Sequence, residues 1–297
     1  MSGGATDGHA DGRSADVIAV VRGALGRLSA AEARVAEQVL ADPTLVVDLA
    51  INDLARLCGT SLSTVARFAQ TIGFSGYREL RVAFARAVAV EQAERERFGL
   101  DDSVIDLDDG IETVAAKIAA REVGAIEQTV LSVDFAAVDR AAAAIAQASR
   151  VELFGQAASS LTAQDMRFKL ARIGCAATHS PDPHIALAAA ALLGAGDVAL
   201  AISHGGETAE TIRAAEVAGE AGALVVALTN APDSPLTRVA DVALLTRAKE
   251  APLRMAAMSS RIAQLALLDV LFVRVVQHRG EGVNEPLRAT RRAVRGT

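Results

Sequence analysis

The sequence contains no tryptophan and one tyrosine, and aromatic residues make up 3% of its 297 positions. That scarcity argues against binding modes that stack the bases of a single strand on aromatic rings. Cysteine is nearly absent. Cys58 and Cys175 lie in apolar patterns and share no ligand or redox spacing. They read as reduced core residues of a cytosolic protein, not as a disulfide framework. The histidines and cysteines show no metal-ligand spacing, so neither a metal nor a cofactor is expected. Lysine supplies 3 of the 30 basic residues and arginine the other 27. Beside so much alanine, this bias points to nucleotide composition more than to function. The formal net charge is −6, so any attraction to nucleic acid has to be local. No apolar run suits a bilayer: ALAAAALLGAG is too short. The N-terminal MSGGATDGHADGRSAD has no apolar centre and does not fit a signal peptide. A soluble cytoplasmic protein with no membrane partner is expected.

What is present suffices for a large core. Hydrophobic residues make up 51% and charged residues 22% of the chain, and the length suggests about two domains. The stretch DVALAISHGGET, Asp197 to Thr208, organises the second half. Its continuous apolar run suits a strand buried on both faces of a parallel sheet. The run stops at Ser203. A small polar loop follows (His204, Gly205, Gly206, Glu207, Thr208), and then a helical pattern. Hydroxyls, glycines and a helix start form an anion site in a place where α/β sheets bind ligands. An ordinary βα turn has the same outline. VELFGQAASSLTAQDMRFKLARIG, Val151 to Gly174, repeats the arrangement, with adjacent hydroxyls at Ser159 and Ser160. Two such loops in one sheet can converge on one phosphate. Further strands are expected at Cys175–Thr178, Leu224–Leu228 and Asp241–Leu245. A long apolar helix, Met255 to Gln277, is expected at a subunit contact.

The first half is helical in pattern. Ser29 and Glu32 form a capping box for AAEARVAEQVLAD. The segment INDLARLCGTSLSTVARFAQTIGF has the layout of a helix-turn-helix. Ile51, Leu54 and Leu57 are expected to face inward, Gly59 to make the turn and Ser61 to cap the second helix. That helix turns Leu62, Val65, Phe68 and Ala69 inward and presents Ser63, Thr64 and Arg67 outward. A recognition helix needs this split. From Ser61 to Arg86 the sequence carries Arg67, Arg78, Arg81 and Arg86 against Glu79, a local charge of +3. A helical bundle that binds no DNA remains the plainer alternative. Expected DNA-contacting residues are Ser61, Ser63, Thr64, Arg67 and Arg78.

The two halves carry separate resemblances. Val151 to Val276 resembles a sugar isomerase (SIS) domain, with its Ser-rich first loop and an S-x-S-G-E-T second loop, together with SPLTRVADVALL and SSRIAQLALLDVLF. The segment LSAAEARVAEQVLADP to INDLARLCGTSLSTVARFAQTIGFSGYRELRVAFA resembles the N-terminal domain of RpiR-type bacterial regulators, which join such a domain to a C-terminal SIS domain. The resemblance implies a DNA-binding regulator whose SIS domain senses a phosphorylated sugar and modulates operator binding. It implies phosphosugar contacts from Ser159, Ser160, Ser203, Gly205 and Thr208. His204, His184 and Glu250 are further candidates, and each also has a plain structural or surface reading. The family usually has serine where this chain has Gly205, which removes one hydroxyl.

The expected organisation is a disordered tail over 1–14, a helix-turn-helix domain over 15–90, a linker over 91–110, an SIS domain over 111–280 and a basic tail over 281–297. The fold class is an all-α domain followed by a doubly wound α/β domain with a mostly parallel five-stranded sheet. Expected partners are double-stranded operator DNA, a phosphorylated sugar and further copies of the chain, as a homodimer or homotetramer. A sugar-phosphate isomerase is the alternative, since SIS domains also catalyse. A third reading is an SIS binding module whose helical part contacts protein.

Overall fold

In a computed structural model, residues 17–100, 105–248 and 257–295 are described. The expected tail over 1–14 and Glu250 lie outside them. The chain divides into two compact units, Met1–Ala120 and Arg121–Thr297.

The first unit is helical. Its elements are α1 (Val17–Ala24), α2 (Ala30–Ala41), α3 (Thr44–Asp48), α4 (Ile51–Leu57), α5 (Leu62–Thr71) and α6 (Tyr77–Phe98). Ser29 and Glu32 make the expected capping box at the start of α2. The core gathers Val21, Val35, Val39, Leu54, Val65, Phe68, Leu80 and Phe84, all fully buried. The single tyrosine, Tyr77, donates to the carbonyls of Val46 and Leu49 and so ties α6 to the end of α3.

The second unit has a five-stranded parallel sheet. Ahead of it come α7 (Ile111–Leu131), which crosses the division between the units, and α8 (Phe135–Gln147). The sheet region then runs β1 (Val151–Gly155), α9 (Ala158–Arg172), β2 (Ala177–His179), α10 (Pro183–Ala190), β3 (Val198–Ile202), α11 (Ala209–Glu220), β4 (Leu224–Thr229), α12 (Pro235–Val239), β5 (Val242–Leu245), α13 (Met258–Arg279) and α14 (Asn284–Arg295). Strand order is β2-β1-β3-β4-β5. β1 and β3 are buried along their whole length, which is why they read as unbroken apolar runs. Alternate strand residues serve opposite faces. Val198, Leu200 and Ile202 pack with α8, α9 and α13. Ala199 and Ala201 pack with α10, α11 and α12.

This order sets a switch point between β1 and β3. From β1 the chain passes through α9 to β2 on one side, while β3 and β4 continue on the other. The helix after β1 covers one face and the helix after β3 covers the opposite face. The two βα loops part at the switch point, where open α/β sheets take their ligands.

Several expectations need correction. Leu57 and Leu62 are 52% and 47% exposed rather than inward. Helix α4 is capped by Cys58, and Cys58 fills the buried position. Leu57 and Leu62 are left on either side of the turn. Thr64 is buried, not outward, because its hydroxyl lies 2.9 Å from that of Ser61 in the cap. The basic C-terminal segment is helical over Asn284–Arg295. Val283 is buried just before it, and Leu287 packs on the sheet core.

Candidate functional site

Two sets of residues, one in each unit, carry the chemistry. The first surrounds α5. Ser61 caps this helix by accepting from the Thr64 N–H at 3.2 Å. Ser61, Ser63, Arg67 and Arg78 are exposed, whereas Thr64 is buried in the cap. Helix α2 holds both helices of the motif. Arg34 donates to the carbonyls of Cys58 and Gly59 at 3.4 and 3.3 Å, satisfying the end of α4. Glu32 is buried and accepts from Arg67 Nε at 3.2 Å and Thr71 Oγ1 at 3.1 Å, both on α5. Hydrogen bonds from the Ser29 hydroxyl and N–H, then from Thr71 and Arg67, hold its carboxyl below the ordinary value, against the opposing effect of burial. Sequence patterning did not reveal the α5 contacts of Glu32, because the capping box already accounts for a glutamate at that position.

The second set lies at the carboxyl edge of the sheet. Gly155 pairs with Ile202 across β1 and β3, so the loops that follow leave the sheet level with each other. This register brings Ser159 and Ser160 to the same edge as Ser203 and Thr208. The first loop is tight. A Cβ on Gly155 would lie 2.7 Å from the Ser159 carbonyl oxygen, and Ala157 has φ 50°. A non-glycine residue there carries roughly 1–3 kcal/mol of strain.

The hydroxyl protons can be placed individually. His179 Nδ1 lies 2.8 Å from the Leu153 carbonyl, which only accepts. Nδ1 therefore carries a hydrogen, and Nε2 lies 2.9 Å from Ser160 Oγ. Ser160 is thus tied to the His179 ring. Ser159 Oγ accepts a long 3.4 Å contact from Gln264 Nε2, which leaves its own proton to point elsewhere. Gln264, fully buried on α13, also accepts from Thr162 at 3.1 Å. Ser203 and Thr208 lie 3.0 Å apart. One hydroxyl donates to the other, and one proton of the pair remains for a ligand. Thr208 is the N-cap of α11 but makes no side-chain cap bond, so the first N–H groups of that helix face the loop without a side-chain acceptor.

The second loop is held by its backbone. The His204 carbonyl accepts from Asn230 N–H at 2.8 Å and from Thr229 Oγ1 at 3.0 Å. Gly206 has φ +64°, and a Cβ there would meet Ser234 Oγ at 2.1 Å. Gly205 differs: it is exposed, lies outside the left-handed region, and a Cβ would meet nothing within 4 Å.

His204 is half-buried. His184 is exposed on the first turn of α10, where its N–H and that of Ile185 are capped by Asp182. No hydrogen bond joins the His184 ring to the four hydroxyls. Glu152, on β1, is buried and accepts from Thr178. Burial pushes its carboxyl up, against the Thr178 bond and the nearby charges of His179 and Arg150. Sequence reading missed His179 and Gln264. For Gln264 the signal was a lone amide in the apolar run IAQLALL. For His179 there was none, since its partners come from β1 and α9. Among the described residues, no group of three or more His, Cys, Asp or Glu side chains could hold a metal ion. None of the described helices is long and apolar enough to cross a membrane.

A family model described as the helix-turn-helix domain of the rpiR family matches residues 16–91, and one for the SIS domain matches residues 144–274. An HTH-type transcriptional regulator of Caldanaerobacter subterraneus is 38% identical over 262 residues, covering 88% of this chain and 91% of that one. The chain belongs to the RpiR family of helix-turn-helix transcriptional regulators. A second relative, from Haemophilus influenzae and also named an HTH-type transcriptional regulator, is 31% identical over 265 residues, covering 89% of this chain and 91% of that one. Among solved structures, Vibrio vulnificus NanR complexed with ManNAc-6P has a TM-score of 0.60 at 28% identity, covering 94% of this chain and 97% of that one. The sugar isomerase domain of a Sphaerobacter thermophilus RpiR factor has a TM-score of 0.54 at 22% identity, covering 60% of this chain and 98% of that one, and shares the fold. In this chain the helix-turn-helix match precedes the SIS match.

Proposed function

We propose that this RpiR-family regulator binds operator DNA through α5 and a phosphorylated sugar through the loops after β1 and β3, and that the sugar changes operator affinity. It acts in the cytoplasm as at least a dimer and not as an isomerase. The observation that carries the ligand reading is the proton placement at the switch point. Ser159 and the Ser203–Thr208 pair retain donors on level, adjacent loops, beside an α11 start that lacks a side-chain cap. This is the donor set a phosphate monoester needs. The ligand-bound NanR relative supports the substrate class.

Isomerisation requires a positioned base. His179, which lies 2.9 Å from the Ser160 hydroxyl, has both ring nitrogens engaged, which argues against its serving as that base. The dimer reading rests on an apolar face of α8 and α13, where Phe135, Val270 and Val273 are 72%, 37% and 54% exposed.

The test is calorimetry with a panel of hexose and amino-sugar phosphates, ManNAc-6P among them, followed by isomerase assays with every sugar that binds. Micromolar or tighter binding without turnover is expected, weakened at least tenfold by Ser203→Ala. Turnover of a bound sugar would favour the isomerase. Failure of the whole panel to bind would remove the phosphosugar reading.

A further inference from the structure

Glu32 has two jobs on two oxygens. Oε2 accepts from the Ser29 N–H at 2.9 Å and from the Ser29 hydroxyl, completing the capping box. Oε1 accepts from Arg67 Nε at 3.2 Å and from the Thr71 hydroxyl at 3.1 Å. Those two residues are one turn apart on α5 and share a face. The burial of the ion pair is lopsided. The Glu32 side chain is 6% exposed and that of Arg67 is 62% exposed. The carboxylate holds the inner nitrogen of the guanidinium, and its two terminal amino groups make no hydrogen bond among the described residues. Those groups form the edge that reads guanine O6 and N7, or a phosphate, in two parallel bonds. A free arginine side chain has to be ordered before it can do so, and an arginine held by Nε is already partly ordered.

We propose that Glu32 is a positioning residue for DNA recognition: it fixes the Arg67 guanidinium on α5 with its two-pronged edge outward. The proposal rests on the reading of α5 as the DNA-contacting helix. Its chemistry explains why a carboxylate is needed. Four donors converge on Glu32, and the amide of glutamine offers one acceptor oxygen. A glutamine can keep the capping box, but its amide nitrogen then faces the arginine.

The experiment uses the full chain and a DNA duplex that the wild-type protein selects from a randomised pool. Affinity is measured for wild type, Glu32→Gln, Arg67→Ala and the double variant, and each protein is also used for its own selection. Thermal melting of each variant reports whether the fold survives. Arg67→Ala is expected to weaken the selected duplex at least tenfold. Glu32→Gln should weaken it about three- to tenfold and blur the same base positions that Arg67→Ala blurs. In the Arg67→Ala background, Glu32→Gln should change affinity less than twofold. An equal loss in both backgrounds, with base preference intact, would make Glu32 merely structural and overturn the proposal. An unchanged affinity of Arg67→Ala would instead remove Arg67 from the DNA surface, and the proposal with it. A selection that enriches no sequence would overturn the reading of α5 itself.

Discussion

Adjacent glycines in the second loop have opposite requirements. Gly206 has positive φ and its missing Cβ leaves room for Ser234. Gly205 has neither constraint. Gly205→Ser is therefore expected to fold normally and to tighten sugar-phosphate binding. One added hydrogen bond to a charged group contributes about 1.5–3 kcal/mol, which is about tenfold or more in affinity. Gly206→Ser faces left-handed strain of about 1–3 kcal/mol as well as the overlap with Ser234, so its melting temperature should fall. Calorimetry and thermal melting on the two variants separate these outcomes. Equal behaviour of the two would mean that the loop geometry differs from that described. Ser160, whose hydroxyl is tied to the His179 ring at 2.9 Å, is expected to matter less to a ligand than Ser159 or Ser203.

At the level of elements, polar contacts decide how α2 meets α5, and they give a pH dependence. The Glu32 carboxyl is held below its ordinary value of 4.5, chiefly by the Ser29 hydroxyl and N–H. A group with a depressed folded-state value contributes stability above its unfolded value and loses it as pH falls through the folded one. The first unit should therefore weaken as pH drops below about 4.5, the ordinary value, and Glu32→Gln should flatten that part of the curve. Denaturant unfolding of both proteins between pH 6 and pH 3, buffer values on the order of the carboxylate range, checks this; parallel curves would refute it. The capping box itself was legible from Ser29 and Glu32 alone, as were the buried strands from apolar runs such as VALAI. The inward face of the helix-turn-helix was only partly legible. Periodicity placed Val65 and Phe68 correctly but put Leu57 and Leu62 inside, whereas the buried stripes run through Leu54, Ala55 and Cys58 and through Thr64, Val65, Phe68 and Ala69. Contacts between distant segments left no trace. The partners of Gln264 lie on α9, about a hundred positions earlier, and those of Glu32 on α5. A residue with a sufficient local role hides its tertiary one.

In the whole molecule, the two units matter to each other through linkage. If a sugar phosphate changes operator affinity by some factor, operator DNA must change sugar affinity by the same factor, whatever the path between the sites. Induction and corepression both satisfy this relation. Effects of this kind typically amount to about 1–3 kcal/mol, or roughly 5- to 150-fold. Operator affinity is to be measured with and without saturating sugar phosphate, and sugar affinity with and without the selected duplex. In a dimer that binds one operator, the operator ratio should equal the product of the sugar-affinity ratios of its two sites. Ser203→Ala should move the sugar affinity alone in the absence of DNA, since Ser203 lies at the edge of the sheet and not on α5. Light scattering of the same samples should give at least a dimer, and a polar substitution at the exposed Val273 should shift it toward monomer. If both ratios equal one while sugar and DNA each bind, the SIS unit is a ligand-binding scaffold without control over α5. If the operator ratio departs from that product, the sugar occupies a further site besides the two loops of each subunit.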